Sequence, residues 1–291
     1  MEKFVLSTDS TADLTKSLQE ECGVSIVSIP FFVDETEYSD YDALPPEEFY
    51  SKLRNGADIK TALINEAMGY DYLEGFAKAG KNVLHICFSS ALSGTYECMK
   101  NAAQKINEKY PDIKVIVVDS VSASMGEGMV CYYADKFRKA GLSLEEAADK
   151  IDKFKYKICH YFTVETLSYL RKGGRMSALT FMLGSILQIK PILHVDNEGR
   201  LIPVAKSLGR RKSLSDMANK VIDRAKGEEN EVVFISHGDC PDDAKYIGDI
   251  LSSRMGVSNI VYGYVGSAVG AHSGPGTVAV FFVGRNRIER D

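Results

Sequence analysis

Residues 83–95 read Val-Leu-His-Ile-Cys-Phe-Ser-Ser-Ala-Leu-Ser-Gly-Thr. Val83–Cys87 is a short apolar run, a hydroxyl-rich turn follows, and a helical pattern begins near Tyr96. That order predicts a buried strand of a parallel sheet feeding a crossover helix. Working outward, Phe4–Leu6, Val24–Ile29 and Val115–Val118 are further runs of the same kind, separated by helical patterns. Pro45-Pro46-Glu47-Glu48 puts proline and two acids into a first helical turn, which suits the positive end of the helix dipole. Ser143-Leu144-Glu145-Glu146 has capping-box spacing, and Gly141 marks the end of the helix before it. Residues 1–155 are therefore expected to form an α/β/α domain around a parallel sheet.

Beyond residue 155 the pattern changes. Ile189–Val195 and Leu201–Val204 flank Asp196-Asn197-Glu198-Gly199, a hairpin signal. A helix over about 213–226 follows, then a strand at Val232–Ile235, a helix near 242–254, and strands near 259–264 and 278–283. Hairpins mixed with helices predict a mixed sheet with helices on one face over residues 156–291. The 291-residue length independently favours two α/β domains, being at the ceiling for one core.

Composition excludes several classes. The chain is 45% hydrophobic and 26% charged, an ordinary globular balance. A net charge of −5 argues against nucleic-acid binding. The six cysteines form no C-x-x-C pair and no zinc-ligand spacing. Scattered thiols suit a reducing compartment, and the cytoplasm is the expected location. The first residues read as a strand rather than a signal peptide. The stretch from Met176 to Ile189 is too short to span a bilayer, so no stable membrane insertion is expected.

Five segments place Gly, hydroxyls or charge beside strand ends, where α/β sheets bind ligands. Ser7-Thr8-Asp9-Ser10-Thr11-Ala12-Asp13 caps a helix near Leu14 or forms a polar cleft wall. Ser89 to Thr95 joins free helix N–H groups to several hydroxyls, an anion site. It also resembles a nucleophile turn centred on Ser93, but Ala91 and Thr95 stand where glycines belong. Leu170 to Ser177 carries Gly173-Gly174, a positive-φ turn, and Arg175, a bidentate partner for carboxylate or phosphate. Lys206 to Lys212 is a basic patch that suits solvent, an acidic partner or a phosphate. Gly266 to Gly276 has glycine at four of eleven positions and holds His272 in what reads as a close-approach loop. Leu179 to Ile189 is apolar nearly all round and reads as a buried helix, either core or the wall of an apolar tunnel.

Together these pieces resemble the DegV family of fatty-acid-binding proteins. The matching stretches are Ser7 to Ser10, Thr61, Ser90 to Thr95, Asp119-Ser120, Leu170 to Met176, Ile189 to Leu193, Gly209 to Lys212, and Gly270 to Gly276. The family usually has Thr-Ser-Gln-Pro after the lysine at this point; here Lys60-Thr61 is followed by Ala62-Leu63-Ile64-Asn65. The resemblance implies two domains with a fatty acid between them. It implies that Thr61 and Ser93 hold the carboxylate with His272 nearby, the backbone at Gly94 and Thr95 completing the ligand site. It implies that Arg175, Arg210 and Arg211 lie where a partner fatty acid kinase docks and phosphorylates the carboxylate for phospholipid synthesis. No cofactor and no metal are implied. No phosphate-cradling G-x-x-x-x-G-K-[ST] occurs, so nucleotide chemistry falls to another protein. Two other readings stay open: a serine esterase using Ser93, His272 and Asp9, and a small-carbonyl-binding subunit, as in dihydroxyacetone kinases, with the ligand attached to His272.

Overall fold

The computed structural model describes residues 4–175 and 189–287. The expected tunnel-lining stretch lies outside the described residues, apart from Ile189.

Strand β1 (Val5–Asp9) is the centre of the first sheet. It pairs in parallel with β2 (Val24–Val27) on one side and β6 (Val83–Cys87) on the other, and β7 (Val115–Asp119) completes the order β2-β1-β6-β7. All five residues of β6 are buried. One face is covered by α3 (Glu66–Lys78) and α4 (Thr95–Lys109), which bring Leu73, Met99 and Ile106 onto Val83 and Cys87. The other is covered by α5 (Met125–Lys139) and α6 (Leu144–Phe154). The capping box of α6 forms as expected: Glu146 N–H donates to Ser143 Oγ at 3.2 Å, and Ser143 N–H to Glu146 Oε2 at 2.8 Å.

The second sheet comprises β8 (Ile158–Thr163), β9 (Ile189–Val195), β10 (Leu201–Leu208), β11 (Val233–His237), β12 (Ile260–Tyr264) and β13 (Val278–Val283). Its order is β10-β9-β8-β13-β11-β12, and of its pairings only β11–β12 is parallel. Helices α8 (Arg210–Ala225) and α9 (Pro241–Met255) pack Leu214, Val221, Ile247 and Leu251 onto Tyr161, Val280 and Phe282 on one face. The opposite face, with Ile158, Phe162 and Phe281, meets α5. Helix α5 thus lies between two sheets, which is why Met125 through Cys131 are buried without a break.

A third sheet does not follow from the sequence reading. Strands β3 (Phe31–Val33), β4 (Thr36–Tyr38) and β5 (Ile59–Thr61) form an antiparallel unit, order β4-β3-β5, under α2 (Pro46–Arg54). Each strand has only three residues, too few to show alternation.

Three helix starts differ from expectation. Helix α1 (Lys16–Cys22) begins after Leu14, because Ser10–Ala12 form a 3-10 turn and Asp13 is left-handed at φ 48°; Thr15 is the cap. Helix α8 begins at Arg210 rather than Ser213, with Gly209 at φ 83° before it. Its first turn is therefore basic, against the dipole, and each cation finds a partner. Arg210 pairs with Asp243, Lys212 with Asp216, and Arg211 stacks on Tyr246. Finally, His272 is not in a loop: Ser267–Ser273 form a short helix, α10. Among the described residues, no helix is long and apolar enough to cross a membrane.

Candidate ligand-binding cleft

The loops after all four strands of the first sheet meet the inner face of the second sheet around one cleft. Thr11 follows β1, Ile29 follows β2, Phe88 to Ser93 follow β6, and Ala123-Ser124 follow β7. His160 and Phe162 of β8, and Ala279 and Phe281 of β13, form the facing wall. A ligand site at the carboxyl ends of parallel strands is the expected place in such a sheet. The cavity volume is about 100 Å³, set in about 860 Å³ of atom-free space that runs out to the solvent at the mouth. Leu92, Leu170, Val195, Leu201, Val265 and Val269 make most of the remaining wall apolar.

One end is polar. Thr61 Oγ1 and His272 Nε2 are 2.8 Å apart although 211 positions separate them in sequence. Thr61 comes from β5 and His272 from α10, so the small sheet exists in part to carry one half of this pair. Behind His272, a Cβ on Gly173 would stand 2.1 Å from Nδ1. The first glycine of Gly-Gly-Arg is therefore space for the imidazole. The second, Gly174 at φ 71°, turns the chain so that Arg175 reaches back to the first domain. Arg175 Nε donates to Leu92 O at 3.2 Å, beside Ser93. Burial, reinforced by the Arg175 charge, depresses the His272 pKa to about 4. The imidazole is thus neutral near pH 7.

Ser93 lines the same cleft. Its Oγ accepts from Thr95 N–H at 3.2 Å and lies 2.9 Å from Thr95 Oγ1. Gly94, which caps α4, has no side chain to offer, so Ser93 supplies a hydroxyl to the helix start. Thr61, Ser93, Arg175 and His272 are thus brought together at the cleft. Gly94 and Thr95 stand just behind Ser93 at the start of α4 and do not line it. Arg210 and Arg211 lie elsewhere: Arg210 donates to Asp243 Oδ2 at 2.8 Å and Gly276 O at 2.6 Å, bracing the segment that follows His272.

The wall behind Thr11 holds a buried carboxyl pair. Glu127 accepts from Thr8 Oγ1 at 2.9 Å and lies 2.8 Å from Thr11 Oγ1, which also contacts Asp9 Oδ1. A hydroxyl has one proton to give, so both contacts are hydrogen bonds only if one carboxyl is itself protonated. Burial raises both acids, Glu127 well above its ordinary value. Asp13, beside Ser124 Oγ at 2.6 Å, is raised by burial to about 7. Burial thus disfavours the charged form of all three carboxyls.

This arrangement bears on the two other readings. Among the described hydrogen bonds none joins Ser93 to His272, and Asp9 is spent on Thr11 and the Phe88 N–H. The Ser–His–acid relay is not assembled. Of the His272 nitrogens, Nε2 lies against Thr61 Oγ1 and Nδ1 is buried beside Gly173 with no hydrogen-bond partner among the described residues, so no attached carbonyl ligand is needed to hold the ring in place. Glu127 and His160 escaped the sequence reading. Their only signal is Gly126 and Gly128 in a helical pattern, residues that mark close approach of another chain segment.

The family model for DegV proteins matches residues 3–285. A DegV domain-containing protein of Clostridium perfringens is 39% identical over 286 residues, covering 98% of each chain. Among solved structures, a fatty-acid-binding DegV family protein from Thermus thermophilus is 26% identical, with a TM-score of 0.87 over 97% of this chain and 99% of that one. DegV of Bacillus subtilis, a fatty acid binding protein, is 25% identical, with a TM-score of 0.84 over 98% of this chain and 100% of that one. With the match running from the first strand to the last, the chain belongs to the DegV family.

Proposed function

We propose that this protein binds a long-chain fatty acid in the cleft between its two sheets. In this reading Thr61, Ser93 and His272 hold the carboxylate, with Gly94 and Thr95 fixing the Ser93 turn. The observation that carries it is the pairing of a polar end, Thr61–His272 with Ser93, to a cleft otherwise walled by aliphatic and aromatic side chains. Hydroxyl donors, with Thr61 oriented by the neutral His272 imidazole, hold an anion without the desolvation cost of a buried salt bridge. Each buried CH₂ contributes about 0.8 kcal/mol, so a long chain offers on the order of 10 kcal/mol before ordering costs. The cavity proper is small for such a chain, which must extend into the open part of the cleft.

The reading has three further parts. The two domains divide near residue 155, so that 1–155 and 156–291 each supply one wall. The carboxylate is presented to a partner kinase, with Arg175 at the cleft and Arg210 and Arg211 at the start of α8 as docking residues. Arg210 braces the segment that follows His272, and this chain itself transfers no phosphoryl group. The protein works in the cytoplasm, in keeping with its free cysteines.

Mass spectrometry of the organic extract, from protein purified without added lipid, tests the central claim. Near one fatty acid per chain is expected. An empty extract, from protein that also takes up no fatty acid in titration, would refute it. Arg175→Ala is expected to spare fatty-acid binding and impair partner-dependent phosphorylation; lost binding would move Arg175 into the carboxylate site.

A further inference from the structure

His160 sits on β8, on the sheet face that meets α5. It is 2% exposed, lines the cleft, and neither ring nitrogen has a hydrogen-bond partner among the described residues. An unpaired buried polar atom costs about 1–3 kcal/mol, and such groups in a native fold call for a reason. A phenylalanine would fill this apolar position without that cost. The chain instead makes room for the imidazole. A Cβ on Gly126 would stand 2.4 Å from His160 Cδ2 and Nε2, so α5 carries a glycine where the ring lies. Phe281 meets the ring edge-to-face at 5.5 Å and fixes its plane. Burial, then the charges of Arg287 and His194, hold its pKa well below the ordinary value. The ring is neutral, with one N–H and one lone pair; Nε2 lies against Gly126, both nitrogens are buried, and neither is hydrogen-bonded among the described residues.

His160 is also well removed from the polar end. Across the β8–β13 ladder it pairs with Phe281, whereas Thr163 pairs with Val278, where β13 emerges from the His272 segment. Three residues at about 3.3 Å each set it roughly 10 Å along the sheet from that edge. Phe162, Ala279 and Phe281 surround it with apolar surface.

We propose that His160 hydrogen-bonds an oxygen carried on the hydrocarbon chain of the bound acid. The preferred ligand is then an oxygenated long-chain carboxylic acid, with a hydroxyl or oxo group well down the chain, rather than a plain saturated one. A hydroxyl serves either tautomer, donating to the bare nitrogen or accepting from the N–H. The inference rests on the fatty-acid reading above and deepens it.

Delipidated full-length protein titrated with stearic acid and with a positional series of hydroxystearic acids tests it. At least one mid-chain hydroxystearate is expected to bind about tenfold more tightly than stearate. His160→Phe is expected to abolish that preference, so that the hydroxystearate and stearate affinities converge whatever their common level. His160→Gln, which retains a donor and an acceptor, is expected to keep part of it and covers the case in which the phenylalanine variant does not fold. Stearate binding as tightly as every hydroxy acid would overturn the role of His160 while leaving the fatty-acid reading intact. Failure of all these acids to bind would overturn both.

Discussion

Ser93 and Glu127 carry the two residue-scale predictions. Ser93 Oγ accepts from Thr95 N–H and, with Thr95 Oγ1 as the donor of their 2.9 Å contact, keeps its own proton for an anion in the cleft. Ser93→Ala is expected to weaken fatty-acid binding by about 1–3 kcal/mol, through one lost hydrogen bond to a charged oxygen. Calorimetry on delipidated protein measures this, and an unchanged affinity would take Ser93 out of the site. Glu127 concerns stability. Its pKa is raised in the folded protein, chiefly by burial, so the folded state keeps a proton that the unfolded state releases above its ordinary value of 4.5. Stability therefore falls as pH rises above 4.5, by up to about 1.4 kcal/mol per pH unit for one such group. Glu127→Gln imitates the protonated acid and removes that slope. Denaturation at pH 5 and pH 8 is expected to show the variant gaining on the wild type at the higher pH. A constant difference would mean that Glu127 is ionised in the fold.

At the scale of elements, the turn after α7 (Ser168–Lys172) positions His272 by leaving space rather than by bonding. Gly173 has an ordinary φ of −74°, so alanine is tolerated by the backbone and the effect of Gly173→Ala is steric alone. The added carbon would fall 2.1 Å from His272 Nδ1. The expected result is a folded protein whose fatty-acid affinity drops about tenfold or more, since the Thr61–His272 contact is lost. Retained affinity would show that the imidazole is not needed where it stands. The elements also show what a sequence discloses. Val83–Cys87 and Val278–Val283 are uniformly apolar and bounded by turn residues, and their limits are legible to the residue. Gly173-Gly174 is legible as a turn, but that its first glycine accommodates an imidazole 99 positions later depends on tertiary packing. Strands β3 to β5 are too short for any period to show, so the element that carries Thr61 was invisible although the threonine itself was not. The helical turn at His272 was hidden by its glycines, which here serve close approach: a Cβ on Gly270 would meet the Tyr50 hydroxyl at 2.6 Å.

At the scale of the whole molecule, the cleft depends on how the two sheets are held. Arg287, 1% exposed just after β13, is a side chain that ties them directly. It donates to Ile158 O at 2.7 Å and Lys155 O at 2.8 Å at the start of the second sheet. It also donates to Val121 O at 2.5 Å and Ser122 Oγ at 2.8 Å, in the loop after β7. That loop runs directly into Ala123 and Ser124 of the cleft wall. Burial lowers the Arg287 pKa to about 10, which leaves the guanidinium charged near pH 7, held by carbonyl and hydroxyl oxygens. Arg287→Met fills the same volume but leaves those acceptors without a donor. A loss of about 3–5 kcal/mol is expected, as when a buried charged partner is removed. For a chain of this size that corresponds to a melting temperature lower by roughly 5–15 °C. Fatty-acid affinity should fall with it, because the loop after β7 loses its anchor to the opposite wall. The alternative is that the sheets are held by α5, whose apolar surface packs against both. In that case Arg287→Met would shift the melting temperature by no more than about 2 °C and leave binding unchanged, and the variant thus decides which of the two contacts sets the width of the cleft.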